Sequence, residues 1–253
     1  PSAMASSILL RSPEFLSWAS GKSIVELGTG CGLAGLVAAE SCAKCLLTDN
    51  DEEAVQILDS ITCPTNQKAV RAVLAVQQLD WRDDHSGNVH PADMVLGSDI
   101  AYYFHLLRPL MDTCRSFMEN GTGATVTQDE QELKVNSSVS CPTLLCVGQA
   151  NRESQWDLYN NIKNGCYNQL TDVHEPPWPG TTRMLLYKLK TSPFCESLVA
   201  CESQVDGTIP ISVIVHCDAS CDSSSEKGNL LTPFERFAHL ATEIDDANIM
   251  KTF

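Results

Sequence analysis

The stretch Ser23–Asp49, reading SIVELGTGCGLAGLVAAESCAKCLLTD, constrains the fold of this chain more than any other part of it. A short apolar run, Ser23–Leu27, ends in glycines at Gly28, Gly30, Gly32 and Gly35. A helix-compatible stretch over Leu33–Ala43 follows, and a second apolar run, Cys45–Thr48, closes on Asp49. Strand, glycine turn, helix, strand and acid in that order make the first βαβ unit of a nucleotide-binding α/β domain. Glycine lets the backbone turn sharply and approach a ligand closely. Amide groups at the start of the helix can hold a carboxylate or phosphate. An acid at the tip of the second strand can accept hydrogen bonds from two ribose hydroxyls.

The rest of the chain extends the same alternation. Ala3–Ala19 has helical periodicity with a break near Pro13, and Asp51–Ile61 reads as a helix with acids in its first turn, ended by Pro64. Strands are expected over Val70–Leu79, Asp93–Asp99 and Thr143–Val147, and helices over His105–Met118 and Ser154–Cys166. Asn120–Pro142 is rich in Gly, Thr, Ser, Gln and Glu and reads as a long loop or insertion. Asn168–His174 and Arg183–Leu189 are expected as two further strands joined by Glu175–Gly180, a connection too short for a helical crossover. The predicted fold is therefore α/β, a Rossmann-like seven-stranded, mostly parallel sheet with an antiparallel C-terminal hairpin and helices on both faces. Residues 1–190 form this domain. Thr191–Phe253 falls outside the plan and reads as an acidic accessory extension, with a possible strand at Ile211–His216, a polar linker at Ser220–Gly228 and a helix over Pro233–Met250.

Composition narrows the partners. The chain has 32 acids against 17 bases, a net charge of −15, which disfavours nucleic acid and favours a basic partner. No run approaches the ~20 apolar residues of a membrane span. The twelve scattered cysteines in 253 residues point to free thiols in the cytosol or nucleus rather than to a disulfide framework. Cys42-x-x-Cys45 lacks a second pair at zinc-ribbon spacing, so no metal is expected.

Three motifs carry chemistry. In the first, Gly30-x-Gly32-x-x-Gly35 with Asp49 19 residues after Gly30 formally matches a dinucleotide fingerprint and leaves NAD open. The strand runs straight into Gly28, however, so the turn reads better as Glu26-x-Gly28-x-Gly30. An acid at that point suits a ligand with a positively charged amino group, which S-adenosylmethionine has and NAD lacks. The second motif is Leu79-Asp80-Trp81 at the third strand tip: an acid there can reach an adenine amino group, and an indole can pack on the ring or merely cover a core edge. The third is Gly97-Ser98-Asp99-Ile100-Ala101-Tyr102 at the fourth tip, where a carboxylate and a phenol can orient an incoming amine, or where Asp99 can cap the next helix.

Taken together these residues resemble the seven-β-strand class I S-adenosylmethionine-dependent methyltransferases, and more narrowly the protein-lysine branch called methyltransferase family 16. Glu26–Leu33 (ELGTGCGL) is close to that branch's ELGxGxGLxG signature, Leu79-Asp80-Trp81 to its LDW, and Asp99-Ile100-Ala101-Tyr102 to its acid-x-x-aromatic hallmark. The resemblance covers about Pro1–Lys190. It implies that Glu26, Gly28, Thr29 and Gly30 hold the methionine portion of the cofactor, Asp49 the ribose, and Asp80 and Trp81 the adenine. Ser98 would line the methyl-donor side, and Asp99 and Tyr102 would face the substrate. The family's N-terminal Trp-x-x-Ala segment is expected upstream of residue 1. At the tip after the fifth strand, where the family often carries an aromatic residue or an arginine, the chain supplies Arg152. The expected activity is methyl transfer to a nitrogen of a protein, a lysine side chain first, by a monomer in the cytosol or nucleus. The alternatives are an arginine or small-amine methyltransferase, and an inactive cofactor-binding interaction protein.

Overall fold

A computed structural model describes residues 2–83, 89–119, 142–168, 172–190 and 208–218. The chain enters through two helices, α1 (Ser2–Leu10) and α2 (Pro13–Ala19). Pro13 separates them and opens the second, and Ser12 caps it by accepting from the Phe15 N–H. Then come β1 (Ser23–Leu27), α3 (Leu33–Ala39), β2 (Lys44–Asp49) and α4 (Glu52–Ile57). The carboxylate of Asp51 caps α4 by accepting from the N–H groups of Glu53 and Ala54. The helix does not stop before Pro64. A widened turn, Leu58–Thr62, leads into α5 (Cys63–Asn66). In that turn the Cys63 N–H reaches the Leu58 carbonyl five residues back, a spacing that accommodates a proline lacking its own donor.

The second half contributes β3 (Val73–Gln78), β4 (Met94–Ser98), α6 (Phe104–Glu119), β5 (Thr143–Gln149) and α7 (Glu153–Asn164). Two short strands, β6 (Cys166–Asn168) and β7 (Val173–Glu175), are followed by β8 (Gly180–Lys190) and β9 (Thr208–Asp218). The main sheet has seven strands in the order β3-β2-β1-β4-β5-β9-β8. The first five are parallel, and β9 is antiparallel to both β5 and β8. The strand order reverses between β1 and β4, which is where open α/β sheets leave a crevice at the carboxyl ends of their strands.

The closing hairpin is present, and one of its two expected arms, Arg183–Leu189, lies within β8, but the other arm is β9, around the possible strand at Ile211–His216, and not Asn168–His174. Segment 168–174 adds no strand to the main sheet; β6 and β7 pair with each other in a separate two-stranded ribbon. The sheet also continues past residue 190, because Thr208–Asp218 lies inside it, between β5 and β8. A strand with neighbours on both sides needs apolar residues on both faces. β9 supplies Ile209, Ile211, Val213, Ile214 and Val215, all buried, whereas Tyr167 and Val173 of the ribbon are exposed. The expected loop over 120–141, the linker at 220–228 and the helix at 233–250 lie outside the described residues.

The core has two halves, one on each face of the sheet. On one face Leu9, Leu10, Phe15, Val37, Leu47 and Ile211 pack together. On the other, α6 and α7 bring Leu110, Phe117, Leu158 and Ile162 against Val25, Val95 and Leu144. Among the described residues no helix is long and apolar enough to cross a membrane. Cys42 and Cys45 are buried free thiols, and Cys31 in the glycine turn is exposed.

Candidate functional site

The tips of β1, β2 and β4 lie side by side, since Leu27 pairs with Thr48 on one side and with Gly97 on the other. β3 and β5 extend the row outward through Asp49–Gln78 and Ser98–Val147. Every motif singled out in the sequence therefore falls on one edge of the sheet.

The turn after β1 is shaped by three glycines with positive φ, at Gly28, Gly30 and Gly32. Gly28 is the tightest against the cleft wall. A Cβ there would lie 3.0 Å from Ile100 Cγ2 and 3.3 Å from Trp81 Cζ2, so the turn, the β4 tip and the indole close on one another. At Gly30 a Cβ would meet nothing within 4 Å, and the backbone there faces open space. The Gly30 N–H donates to Asp49 Oδ2 at 2.8 Å, and the Asp51 N–H donates to Oδ1 at 3.0 Å. Asp49 is thus fixed at the β2 tip while each of its oxygens keeps acceptor capacity.

Glu26 is tied into the turn that follows it. It is 1% exposed. Its carboxylate accepts from the Gly35 N–H at 2.9 Å and from the Thr29 hydroxyl. Through Oε2 it braces the loop against the start of α3. Burial pushes it up to about 7, against the lowering effect of the Thr29 and Gly35 hydrogen bonds. Thr29 is likewise turned inward, with its N–H donating to the Thr48 carbonyl at 2.9 Å. Asp80 is gripped by the guanidinium of Arg82 through both carboxylate oxygens. Trp81 is half-buried and packs on the core cluster of α6, so core cover and cleft wall are the same surface.

The β4 tip is held from several directions. Gly97 leaves room for Ile100 to fold back, since a Cβ there would sit 2.1 Å from Ile100 Cδ1. Asp99 has φ +65, a left-handed conformation that costs a non-glycine residue energy. Its N–H donates to the Val147 carbonyl at 2.7 Å. Arg152 Nη2 donates to Asp99 Oδ2 at 3.1 Å. The Ser154 hydroxyl at the start of α7 donates to the Ala101 carbonyl. Ser98 Oγ lies 2.6 Å from Ser6 Oγ, tying the tip to α1. Tyr102 is 44% exposed, with its ring 4.4 Å from that of Tyr103. Partial burial raises its phenol above the ordinary value; Tyr103, Asp49 and Asp99 add to this and Arg152 opposes it. A protonated phenol is therefore the neutral-pH form, within the fields of both candidate carboxylates.

Ser6 and Ser154 were not visible as site residues in the sequence, because isolated serines carry no pattern. Arg152 stands out there only as a strand-tip residue, with nothing to show its partner.

Comparison with known proteins bears on the family and the fold. Residues 2–137 match the family model described as lysine methyltransferase. The protein N-lysine methyltransferase METTL21A of Danio rerio is 30% identical over 164 residues, covering 59% of this chain and 70% of that protein. METTL21A of Mus musculus is 30% identical over 103 residues, covering 40% and 47%. Among solved structures, a predicted O-methyltransferase of Agrobacterium tumefaciens superposes with a TM-score of 0.52 at 14% identity, covering 87% of this chain and 82% of that one. A Pyrococcus horikoshii protein described as a candidate RNA methyltransferase gives a TM-score of 0.50, also at 14% identity, covering 85% and 84%. At such identities the structural likeness speaks for the fold alone.

Proposed function

The chain belongs to the lysine methyltransferase family, and from that premise we propose that its strand-tip cleft binds S-adenosylmethionine and presents a protein lysine to the methyl group. It is an S-adenosylmethionine-dependent protein N-lysine methyltransferase. The observation that carries the site assignment is the row of strand tips. Asp49, locked to the Gly30 N–H, stands on one side of the β1/β4 switch point, and Asp99 with Tyr102 on the other.

The residues fit the cofactor. The turn is open beside Gly30, and Asp49 is placed to accept from two ribose hydroxyls. Trp81 beside Gly28 offers an indole face for the adenine, with Asp80 at the same tip held by Arg82. Gly28 and Gly30 bring backbone close to the methionine portion. Glu26 supports that contact from beneath, through Thr29 and the helix start. Ser98, fixed by Ser6, lines the donor side. Bound there, S-adenosylmethionine supplies an electrophilic methyl carbon on a sulfonium. The protein's own part is to hold a neutral amine in line with that carbon and to keep water away. Lysine has an ordinary pKa of ~10.4, so the cleft must favour the uncharged form. Asp99 accepts a hydrogen bond from the amine, and Tyr102, as a neutral phenol, supports its position.

The net charge of −15 supports a basic polypeptide segment, and not nucleic acid, as the partner. The reading also takes the protein as a monomer of the cytosol or nucleus. Calorimetric titration of purified protein with S-adenosylmethionine, followed by transfer of labelled methyl groups to lysate proteins with mass-spectrometric site mapping, tests it. Cofactor binding with label on lysine supports the proposal. No cofactor binding, or label confined to other residue types, overturns it.

A further inference from the structure

Asp99 does not meet an incoming amine as a bare carboxylate. Arg152 Nη2 donates to its Oδ2 at 3.1 Å, and among the described residues its Oδ1 takes no hydrogen bond. The two side chains are 35% and 31% exposed, so the pair sits at the cleft mouth, partly shielded from water. Arg152 is itself anchored at a tight corner. Its N–H donates to the Gln149 carbonyl at 3.1 Å and its carbonyl accepts from Gln155 at 3.1 Å. The ionisable groups around this corner are Asp49 from the β2 tip, Tyr102 and Tyr103 from the loop after β4, His105 stacked on Tyr103, and Cys146 from β5. Burial pushes the Cys146 thiol up to about 12, so it carries no charge at neutral pH. Arg152 is the cation in that set, and it is paired with Asp99.

An unpaired carboxylate poses a chemical problem for this reaction. It attracts a lysine side chain, but it favours the ammonium over the amine, and the ammonium has no lone pair to give. A guanidinium stays charged throughout the working pH range. We propose that Arg152 is a positioning residue that cancels the charge of Asp99. The corner then accepts a hydrogen bond from the substrate lysine without holding that lysine in its protonated, unreactive form. The inference rests on reading the cleft as a lysine methyltransferase site. The lysine loses its proton to solvent on entry. The nitrogen lone pair then forms the N–CH3 bond as the methyl–sulfur bond breaks, with that bonding pair staying on sulfur.

The test is the pH dependence of the initial rate of labelled methyl transfer from S-adenosylmethionine to lysine in whole-lysate protein, between pH 6.5 and 10. It is run with the wild type, Arg152→Gln and Arg152→Lys. Losing one opposing charge moves the rising limb of the Gln variant's profile up by about one pH unit, roughly tenfold slower transfer at pH 7.5 that recovers by pH 9.5. Its KM for acceptor falls while kcat at neutral pH falls too. Arg152→Lys keeps the cation and keeps the wild-type profile. Cofactor affinity and melting temperature stay at wild-type values in both. A Gln profile that superimposes on the wild type, or drops uniformly at every pH, overturns the inference and leaves the function standing. A Lys variant as shifted as the Gln variant also overturns it. A wild type that puts no label on lysine at any pH overturns the functional reading, and this inference with it.

Discussion

The glycine turn after β1 and the Asp99 corner after β4 flank the same switch point, yet they are held in place differently. The turn is built from its own neighbourhood. Glu26 takes its hydrogen bonds from Thr29 and Gly35, and Gly30 is bonded to Asp49, 19 residues on. The corner is built from afar. Val147 fixes the Asp99 backbone, Arg152 its carboxylate, and Ser154 the Ala101 carbonyl, with both side-chain bonds spanning 53 residues. Ser6 adds a tie to Ser98 across 92 residues. The turn is a rigid cradle that the local chain sets up, whereas the corner follows the packing of α1 and α7. Under the proposed function, changes in distant elements would reach the Asp99 corner more readily than the glycine turn.

The largest expected effect lies just beneath the turn, in the first residues of α3. A Cβ at Gly35 would sit 2.2 Å from Leu47 Cδ2 and 2.5 Å from Glu26 Oε2. Gly35→Ala should cost about 3 kcal/mol of stability in denaturant melts, the upper range of overpacking. Gly30→Ala meets no neighbour and pays only for its left-handed backbone, about 1 kcal/mol. Equal losses at the two positions would break the picture of a turn packed from beneath and open above.

Glu26 gives the next largest effect, through pH. Its carboxyl stands at about 7 when folded, against an ordinary value of 4.5. Between those values the unfolded chain releases the proton before the folded one does, so stability falls as pH rises from about 4.5 to 7 and is level above. The full drop is on the order of 3 kcal/mol. Glu26→Gln keeps an acceptor for Thr29 and Gly35 and should lack this slope. Parallel stability–pH curves for the two proteins would mean that the buried carboxyl does not titrate as described.

A smaller effect belongs to the corner. Ser154→Ala removes one hydrogen bond to Ala101 and should cost about 1 kcal/mol. It should slow transfer while leaving cofactor affinity unchanged, which calorimetry and labelled-methyl rates measure separately. Smallest of all is Arg82→Ala. The Arg82 side chain is 63% exposed, and surface ion pairs contribute under about 1 kcal/mol, so stability should barely move. If Asp80 needs that pair to face the adenine, cofactor affinity will fall a few-fold.

What the sequence makes legible follows the same division. The βαβ unit over Ser23–Asp49 could be read directly, because its glycines, its acid and its strand patterns are neighbours in the chain. The motifs at Asp80–Trp81 and Asp99–Tyr102 were readable as strand tips. The inward turn of Glu26 was not, because only the closeness of Gly35 to β1 aims the carboxylate at the helix start. Nor was the pairing of Asp99 with Arg152, since no pattern links residues on two different loops. The one misassigned arm of the hairpin has a related cause. Asn168–His174 carries only Leu170 and Val173 as apolar residues, whereas the place between β5 and β8 is filled by the two-faced apolar run Ile209–Val215, which lies beyond the apparent end of the domain.

The division between the two regions is tested most directly by measuring cofactor affinity and methyl-transfer rate side by side in Asp49→Ala and Asp99→Ala. Asp49→Ala should bind S-adenosylmethionine at least about tenfold more weakly and recover part of its rate at saturating cofactor. Asp99→Ala, which removes the acceptor, should bind it as the wild type does and transfer methyl groups to lysine about a hundredfold more slowly at every cofactor concentration. An Asp99→Ala protein that loses cofactor affinity as severely as Asp49→Ala, or that keeps wild-type turnover, would contradict the account.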